Sequence, residues 1–74
     1  MTIGNFCKSF RTEVLNLRLK DLAPNTVGTL SAFELGSSTN MNHLSTYFKH
    51  ATPEQRTVFM DGLKNALEEM TNGN

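Results

Sequence analysis

The sequence predicts an all-α domain of five short helices. No segment alternates apolar and polar residues over the length of a strand, whereas apolar residues recur at spacings of three and four along most of the chain. Pro24, Gly36 and Pro53 interrupt this pattern at intervals that suit short helices. With 74 residues the chain forms one domain, and the predicted helices cover about residues 2–16, 18–23, 26–35, 40–50 and 53–70.

The first helix is predicted from a stripe of apolar residues that fall on one helical face. Lys8, Arg11 and Glu13 fall on other faces, as expected for a half-buried helix. Asn16 is suited to end the helix because asparagine tolerates the left-handed conformation. The stripe comprises Ile3, Phe6, Cys7, Phe10, Val14 and Leu17.

The second helix has room for little more than one turn, because Pro24 disfavours helical geometry at Ala23. Asn25 or Thr26 is suited to cap the third helix. Gly36 is suited to end it in the left-handed conformation. The inner face of the third helix is predicted to comprise Val27, Leu30 and Phe33.

The last two helices each begin at a recognisable cap. Asn40 is suited to cap the fourth helix, and Thr52 and Gln55 flank Pro53 as a capping box for the fifth. The apolar stripe of the fourth helix is Met41, Leu44, Tyr47 and Phe48. The apolar face of the fifth helix is predicted to be Val58, Phe59, Leu63, Ala66, Leu67 and Met70.

Composition excludes several classes of protein. Lys and Arg number 7 and Asp and Glu number 7, so a domain held on nucleic acid by a basic surface alone is not expected. No apolar run is long enough to span a membrane, and the first residues are not typical of a signal peptide. A single cysteine, Cys7, allows no internal disulfide, and it is predicted to be a core residue. We expect no metal, no cofactor and no enzymatic activity, because no catalytic constellation is present.

Three segments together resemble a known family. These are Leu17-Arg18-Leu19-Lys20-Asp21-Leu22-Ala23, then Gly28-Thr29-Leu30-Ser31-Ala32-Phe33-Glu34-Leu35-Gly36, and the stretch from Met41 to Phe48. Their order and spacing resemble the phage-repressor-like helix-turn-helix family, of the lambda-repressor or Xre type. Ile3, Gly4 and Phe6 look like the start of that family's first helix. Between Ala23 and Leu30 this chain is about three residues shorter than the family pattern.

The resemblance implies a lambda-repressor-like domain with an added C-terminal amphipathic helix. It also implies a transcriptional regulator of phage or mobile-element type, which acts in the cytoplasm of a bacterial or phage-infected cell. Such a protein would bind double-stranded DNA as a homodimer formed through its C-terminal helix, with its third helix in the major groove. The implied DNA-contacting residues are Thr26, Val27, Gly28, Thr29 and Ser31 on the third helix, with Arg18, Lys20, Thr39, Asn40 and Asn42 beside it.

The positive charge of residues 1–23 favours DNA binding, whereas the side chains of the third helix count against it. Residues 1–23 carry four basic and two acidic side chains, a net charge of +2, and the remainder carries a net charge of −2. No Lys or Arg occurs between Lys20 and Lys49. None of the implied residues of the third helix makes the bidentate contacts that dominate major-groove reading, although Thr and Ser hydroxyls donate to bases and phosphates.

An alternative is a protein-binding inhibitor or adaptor that keeps the helix-turn-helix scaffold without reading DNA. The third helix is unusually apolar on its outer side, at Ala32 and Leu35. The apolar arc of the fifth helix, which includes Met60, Leu63 and Leu67, is wider than one small core needs. Exposed apolar surface marks protein interfaces, but the same residues are also consistent with completing an undersized core. Both interpretations remain open at this point.

The other polar residues have simpler expectations. Glu34 is expected to form a structural hydrogen bond or ion pair, and Glu68 and Glu69 to solvate the last helix. His43 is expected either to be solvated or to contact a phosphate near the start of the fourth helix, and His50 lacks a third ligand for a metal site. Residues 37–40 are expected to form a polar loop or to contact phosphate.

Overall fold

The computed structural model describes residues 2–38 and 40–72. All the regular secondary structure in these residues is helical, and they form no strand. The all-α prediction and the five predicted helices are therefore confirmed for this part of the chain. Each helix begins and ends within about two residues of the predicted limits. The helices are α1 (Ile3–Ser9, continued by a π-helical segment Phe10–Leu15), α2 (Leu19–Leu22), α3 (Val27–Glu34), α4 (Leu44–Lys49, preceded by a 3₁₀ turn Met41–His43) and α5 (Pro53–Asn72).

Several helices begin or end with the capping hydrogen bonds or the left-handed residues that the sequence predicted. Asn16 ends the π-helical segment at φ 55° and Gly36 follows α3 at φ 87°, both in the left-handed region. Thr52 and Gln55 form the capping box of α5. The Thr52 hydroxyl accepts from the Gln55 backbone N–H at 3.2 Å, and the Gln55 side chain accepts from the Thr52 N–H at 2.9 Å. Asn40 caps the 3₁₀ turn by accepting from the Asn42 N–H at 3.1 Å.

Phe59 of α5 lies at the centre of the aromatic core. Its ring centroid is 5.4 Å from that of Phe6, 4.7 Å from Phe10, 6.2 Å from Tyr47 and 6.4 Å from Phe48. These rings come from α1, its π-helical continuation and α4, so one side chain of the last helix joins three segments. Each such pair adds about 0.5–1.5 kcal/mol beyond the buried area itself.

Glycine allows α1 to approach two other helices closely. A Cβ at Gly4 would overlap the Phe33 carbonyl oxygen and lie 2.7 Å from the Glu34 carbonyl oxygen, so α1 and α3 are almost in backbone contact there. A Cβ at Gly62 would overlap the Phe6 ring. Small residues therefore set the distances from α1 to α3 and from α1 to α5.

The prediction that Arg11 lies outside the buried face of the first helix was wrong, because Arg11 is buried. It follows Cys7 by four residues and Gly4 by seven, and this spacing places all three on the face of the helix that packs on α3. The side chain tolerates burial because Glu34 of α3 lies opposite it. Leu17, predicted on the same helical stripe, lies beyond Asn16 but still packs against the core.

The prediction for the buried face of α5 was also partly wrong. Phe59 and Ala66 are buried and Leu63 is half-buried, but Val58, Leu67 and Met70 are exposed. The large apolar residues of α5 therefore lie on more than one side of the helix. Met41, predicted on the stripe of the fourth helix, is exposed as well.

Candidate protein-interaction surface

The side of α5 next to its buried face forms an open apolar groove. Near the middle of α5, Met60 and Leu63 face Leu44 and Phe48 of α4 across a depression of about 340 Å³, which Ser45 and Phe59 also line. A second depression of about 430 Å³ continues along α5 from Met60 and Leu63 to Leu67 and Thr71. Because the two depressions share Met60 and Leu63, they form one surface. We call it the α4–α5 groove and define it by Leu44, Phe48, Met60, Leu63 and Leu67.

The groove exposes large apolar side chains to solvent. Met60 is 59% exposed and Leu67 is 47% exposed, whereas Leu63, Leu44 and Phe48 are half-buried and connect the groove to the core. Met60 and Leu67 do not complete the core, because about half of each side chain is exposed to solvent. A patch of this kind on a 74-residue domain is typical of a surface that another protein covers.

Arg56 fixes the α4 wall of the groove. Its guanidinium Nε donates to the Phe48 carbonyl oxygen at 3.0 Å, and its guanidinium carbon lies 4.8 Å from the centre of the Phe48 ring. The Phe48 ring also packs edge-on against the Phe59 ring of the core. The position of the wall therefore depends on core contacts, and the groove is largely preformed. Sequence reasoning did not single out Arg56, because an arginine in the first turns of a helix has no local pattern that reveals its partner on another helix.

Two opposite charges lie on the open side of the groove. The Lys64 ammonium is 4.0 Å from the Glu68 carboxylate, one helical turn away, and both side chains are mostly exposed. A pair this exposed contributes little to folding stability. Its ends remain accessible to charges on a molecule in the groove.

Leu35, another predicted interface residue, lies away from the α4–α5 groove. It follows the end of α3 and is 74% exposed, while Ala32 on the same helix is half-buried. Exposure at the surface is therefore confirmed for Leu35, Met60 and Leu67 but not for Ala32. Leu35 lies on one surface, and Met60 and Leu67 lie on another, the α4–α5 groove.

The residues implied to contact DNA are mostly at the surface. Thr26, Gly28 and Thr29 are exposed at the start of α3, and Val27 and Ser31 are half-buried. Thr26 occupies the N-cap position of α3 but its side chain forms no capping hydrogen bond. Glu34, the charged residue of α3, is buried, so the outer side of this helix is uncharged.

The described residues of this set outside α3 are also exposed, and Arg18 and Asn40 already have local partners. Arg18 donates from Nε to Asp21 at 3.0 Å, and this bond holds the pKa of the Asp21 carboxyl below its usual value. The Asn40 side chain accepts from the Asn42 backbone. Lys20 is exposed, and Thr39 lies outside the described residues.

Arg11, Glu34 and Tyr47 form a buried polar network. Glu34 accepts from Arg11 Nε at 2.8 Å, from Arg11 Nη2 at 3.0 Å and from the Tyr47 hydroxyl at 2.8 Å. Arg11 Nη1 also donates to the Leu17 carbonyl oxygen at 3.0 Å. The expected structural role of Glu34 is thus confirmed. The network links the π-helical continuation of α1 to α3 and α4, and all three side chains are buried, so we assign it to folding.

Burial and the network account for two shifted pKa values. Burial raises the pKa of the Cys7 thiol to about 12, and the negative charge of Glu34 adds to this shift. Burial also raises the pKa of the Tyr47 hydroxyl, with a further contribution from its hydrogen bond to Glu34. Cys7 is fully buried, which confirms its predicted place in the core.

His43 differs from the expectation of a solvated ring. It is half-buried, its ring centroid lies 5.3 Å from that of Phe33, and its Nε2 is buried without a hydrogen-bond partner among the described residues. His50 is exposed, with Nδ1 2.9 Å from the Thr46 carbonyl oxygen. Residues 2–38 and 40–72 contain no cluster of three His, Cys, Asp or Glu side chains suited to a metal.

Comparisons of the chain with family models, curated proteins and solved structures found no match. Within the described residues, none of the helices combines the length and the apolar character needed to cross a membrane.

Proposed function

We propose that this protein is a protein-binding domain of the inhibitor or adaptor kind, which receives an amphipathic helix in its α4–α5 groove. The observation that carries this proposal is the continuous apolar surface along α5, walled at one end by Leu44 and Phe48 of α4. An apolar groove is the usual docking site for an amphipathic helix.

The shape and charges of the groove define the class of partner. Met60, Leu63 and Leu67 are spaced by three and four residues, so they present a ridge that packs against a helix with the same spacing. Lys64 and Glu68 beside this ridge favour a helix that carries both an acidic and a basic residue at its edge.

The test uses a synthetic amphipathic peptide as the probe. The peptide carries leucines at helical spacing of three and four, with glutamate and lysine elsewhere, and is labelled with a fluorophore. We expect its fluorescence anisotropy to rise with protein concentration. Amide chemical shifts of the isotopically labelled protein are expected to change along α4 and α5. Changes confined to α3, or no binding up to about 1 mM protein, would contradict the proposal.

Leu67→Glu and Val58→Glu form a matched pair of variants for this test. Both side chains lie on α5 and are about half exposed, 47% for Leu67 and 51% for Val58, but only Leu67 lines the groove. We expect Leu67→Glu to weaken peptide binding about tenfold or more and Val58→Glu to leave it nearly unchanged. Equal losses in the two variants would mean that the peptide binds apolar surface without selecting the groove.

A DNA-binding regulator is the second candidate, and the exposed start of α3 favours it. Helices α2 and α3 are joined by the short turn of residues 23–26, and Thr26, Gly28 and Thr29 face solvent at its end. A Cβ at Gly28 would meet nothing within 4 Å, so the backbone is open to a large partner there. The uncharged surface of α3 leaves Arg18 and Lys20 as the nearest basic side chains along the chain.

Selection from a pool of random DNA duplexes tests this candidate. An enriched site whose retention falls between about 50 mM and about 200 mM salt would support a DNA regulator. Thr26→Ala and Ser31→Ala would then weaken binding, while Thr57→Ala on α5 serves as the control. If folded protein retains no duplex at the lower salt concentration, DNA is not its partner.

A further inference from the structure

We infer that Met60 is a redox-sensitive modification site, whose oxidation to methionine sulfoxide weakens the binding of a helix in the α4–α5 groove. This inference rests on the proposed function, because it concerns the regulation of the same groove. Three observations carry it: the position of Met60 in the groove, its exposure to solvent, and the chemistry of the other described residues that line the groove.

Met60 lies where the two depressions of the groove meet. It lines both of them, as Leu63 does, so a change in its side chain affects both parts of the apolar surface. Among the described residues that line the two depressions, Met60 alone carries a sulfur atom. An oxidant that attacks thioethers therefore alters this side chain and leaves the leucines and phenylalanines of the groove unchanged.

The Met60 side chain is accessible to small oxidants. It is mostly exposed, and more exposed than Met41 or Met70. The thiol of Cys7 does not compete for the oxidant, because it is fully buried. Burial also raises the pKa of the Cys7 thiol to about 12, so the thiolate that peroxides attack is scarce at neutral pH.

The oxidant is hydrogen peroxide. A lone pair of the Met60 sulfur attacks one peroxide oxygen, so an S–O bond forms and the O–O bond breaks. The second oxygen leaves as hydroxide and takes the proton of the transferred oxygen, which gives methionine sulfoxide and water. Sulfur loses two electrons, and the peroxide gains them. Methionine sulfoxide reductases reverse the change with two electrons and two protons from a pair of thiols, and the sulfoxide oxygen leaves as water.

The sulfoxide opposes binding without disturbing the free domain. Oxidation turns a flexible apolar side chain into a polar one whose oxygen accepts hydrogen bonds. In the free domain water donates to this oxygen, because Met60 is mostly exposed. A helix packed in the groove excludes that water and surrounds the oxygen with apolar side chains, and an unsatisfied acceptor weakens binding. We expect an increase of about tenfold or more in the dissociation constant.

Peptide binding before and after oxidation tests the inference. The labelled amphipathic peptide described above contains leucine, glutamate and lysine, and the peroxide is removed before the peptide is added, so only the protein is oxidised. Mass spectrometry of proteolytic fragments measures the sulfoxide at each methionine, and circular dichroism shows whether the oxidised domain is folded. We expect oxidised wild-type protein to bind the peptide about tenfold more weakly or worse, and reductase treatment to restore the affinity.

Met60→Leu and Met41→Leu form a matched pair of variants. Met41 is also exposed but is not among the residues that line the groove, and leucine keeps an apolar side chain of similar volume at either position. We expect Met60→Leu to bind the peptide before and after peroxide treatment with nearly equal affinity. Met41→Leu is expected to lose affinity on oxidation as the wild type does. Met60→Gln, which places a polar group in the groove, is expected to bind weakly without any peroxide.

Bound peptide provides a second measurement. A helix in the groove covers Met60, so saturating peptide is expected to slow sulfoxide formation at Met60 and to leave the rate at Met41 unchanged. Equal rates at Met60 with and without peptide would contradict the inference.

The outcomes separate this inference from the proposed function. If the oxidised, folded protein binds the peptide as tightly as the reduced protein, Met60 does not regulate the groove and the protein-binding function stands. The same conclusion follows if Met60→Leu remains as sensitive to peroxide as the wild type, or if oxidation unfolds the domain. If the reduced protein does not bind the peptide, both proposals fail.

Discussion

Removing Glu34 is expected to destabilise the domain severely. Glu34→Leu leaves the Arg11 guanidinium buried without its two bonds to the carboxylate, and leaves the Tyr47 hydroxyl without its acceptor. Breaking a buried ion pair by removing one partner costs about 3–5 kcal/mol of unfolding free energy. At about 0.05–0.15 kcal/mol per residue, a domain of 74 residues has only about 4–11 kcal/mol of stability to lose.

Urea denaturation followed by circular dichroism measures this loss. With a slope of about 1 kcal/mol per molar urea, the midpoint is expected to fall by about 3–5 M. The triple variant Arg11→Met, Glu34→Leu, Tyr47→Phe removes all three polar side chains of the network together. We expect it to recover most of the loss, because replacing a whole buried ion pair by apolar residues is close to neutral.

The control for this experiment is Arg18→Met, which removes the exposed ion pair with Asp21 and is expected to change the midpoint little. The reasoning is refuted if Glu34→Leu is nearly as stable as the wild type, or if the triple variant is no more stable than the single one. The first result would mean that water replaces the lost bonds. The second would mean that the three side chains stabilise the fold mainly through their shape.

The remaining predictions concern glycines and the thiol. Gly4→Ala forces α1 away from the Glu34 carbonyl oxygen and is expected to cost about 1–3 kcal/mol in urea denaturation, whereas Gly28→Ala meets nothing and is expected to gain about 0.5–1 kcal/mol. The folded-state pKa of Cys7 is about 12, above its ordinary value of 9.0, so its contribution to stability is complete below pH 9 and lost as pH rises towards 12. Denaturation midpoints at pH 8 and pH 10 are expected to differ less in Cys7→Ala than in the wild type, and an equal difference in both would contradict this assignment.

Signals within a few residues predicted the helices. The capping box at Thr52 and Gln55 and the left-handed residues Asn16 and Gly36 determine where helices start and stop, and each depends on neighbours no more than a few positions away. The burial of Arg11 could not be predicted in this way. Its partner Glu34 is 23 positions along the chain, so only the folded structure brings them together.

The apolar pattern of the sequence also did not show which side of α5 is buried. Large apolar residues occur at 58, 59 and 60 and again at 63 and 67, so they surround more than half of the helix. The small residues Gly62 and Ala66 lie on the buried side, and at Gly62 the absence of a side chain leaves room for the Phe6 ring. A search for the largest apolar stripe therefore selects residues that include the exposed groove. The prediction that the apolar arc of α5 is wider than the core needs agrees with the exposure of Met60 and Leu67.

The position of Phe59 has a consequence for how the chain folds as it is made. This residue contacts rings from α1, the π-helical segment and α4, yet it belongs to the helix that is synthesised after the other four. Helices of four to eight residues, such as α2 and α3, are too short to be stable alone. The emerging chain therefore has no complete core until α5 is outside the exit tunnel. We therefore expect the short helices to become stable together, once α5 is available to complete the core, and not one by one.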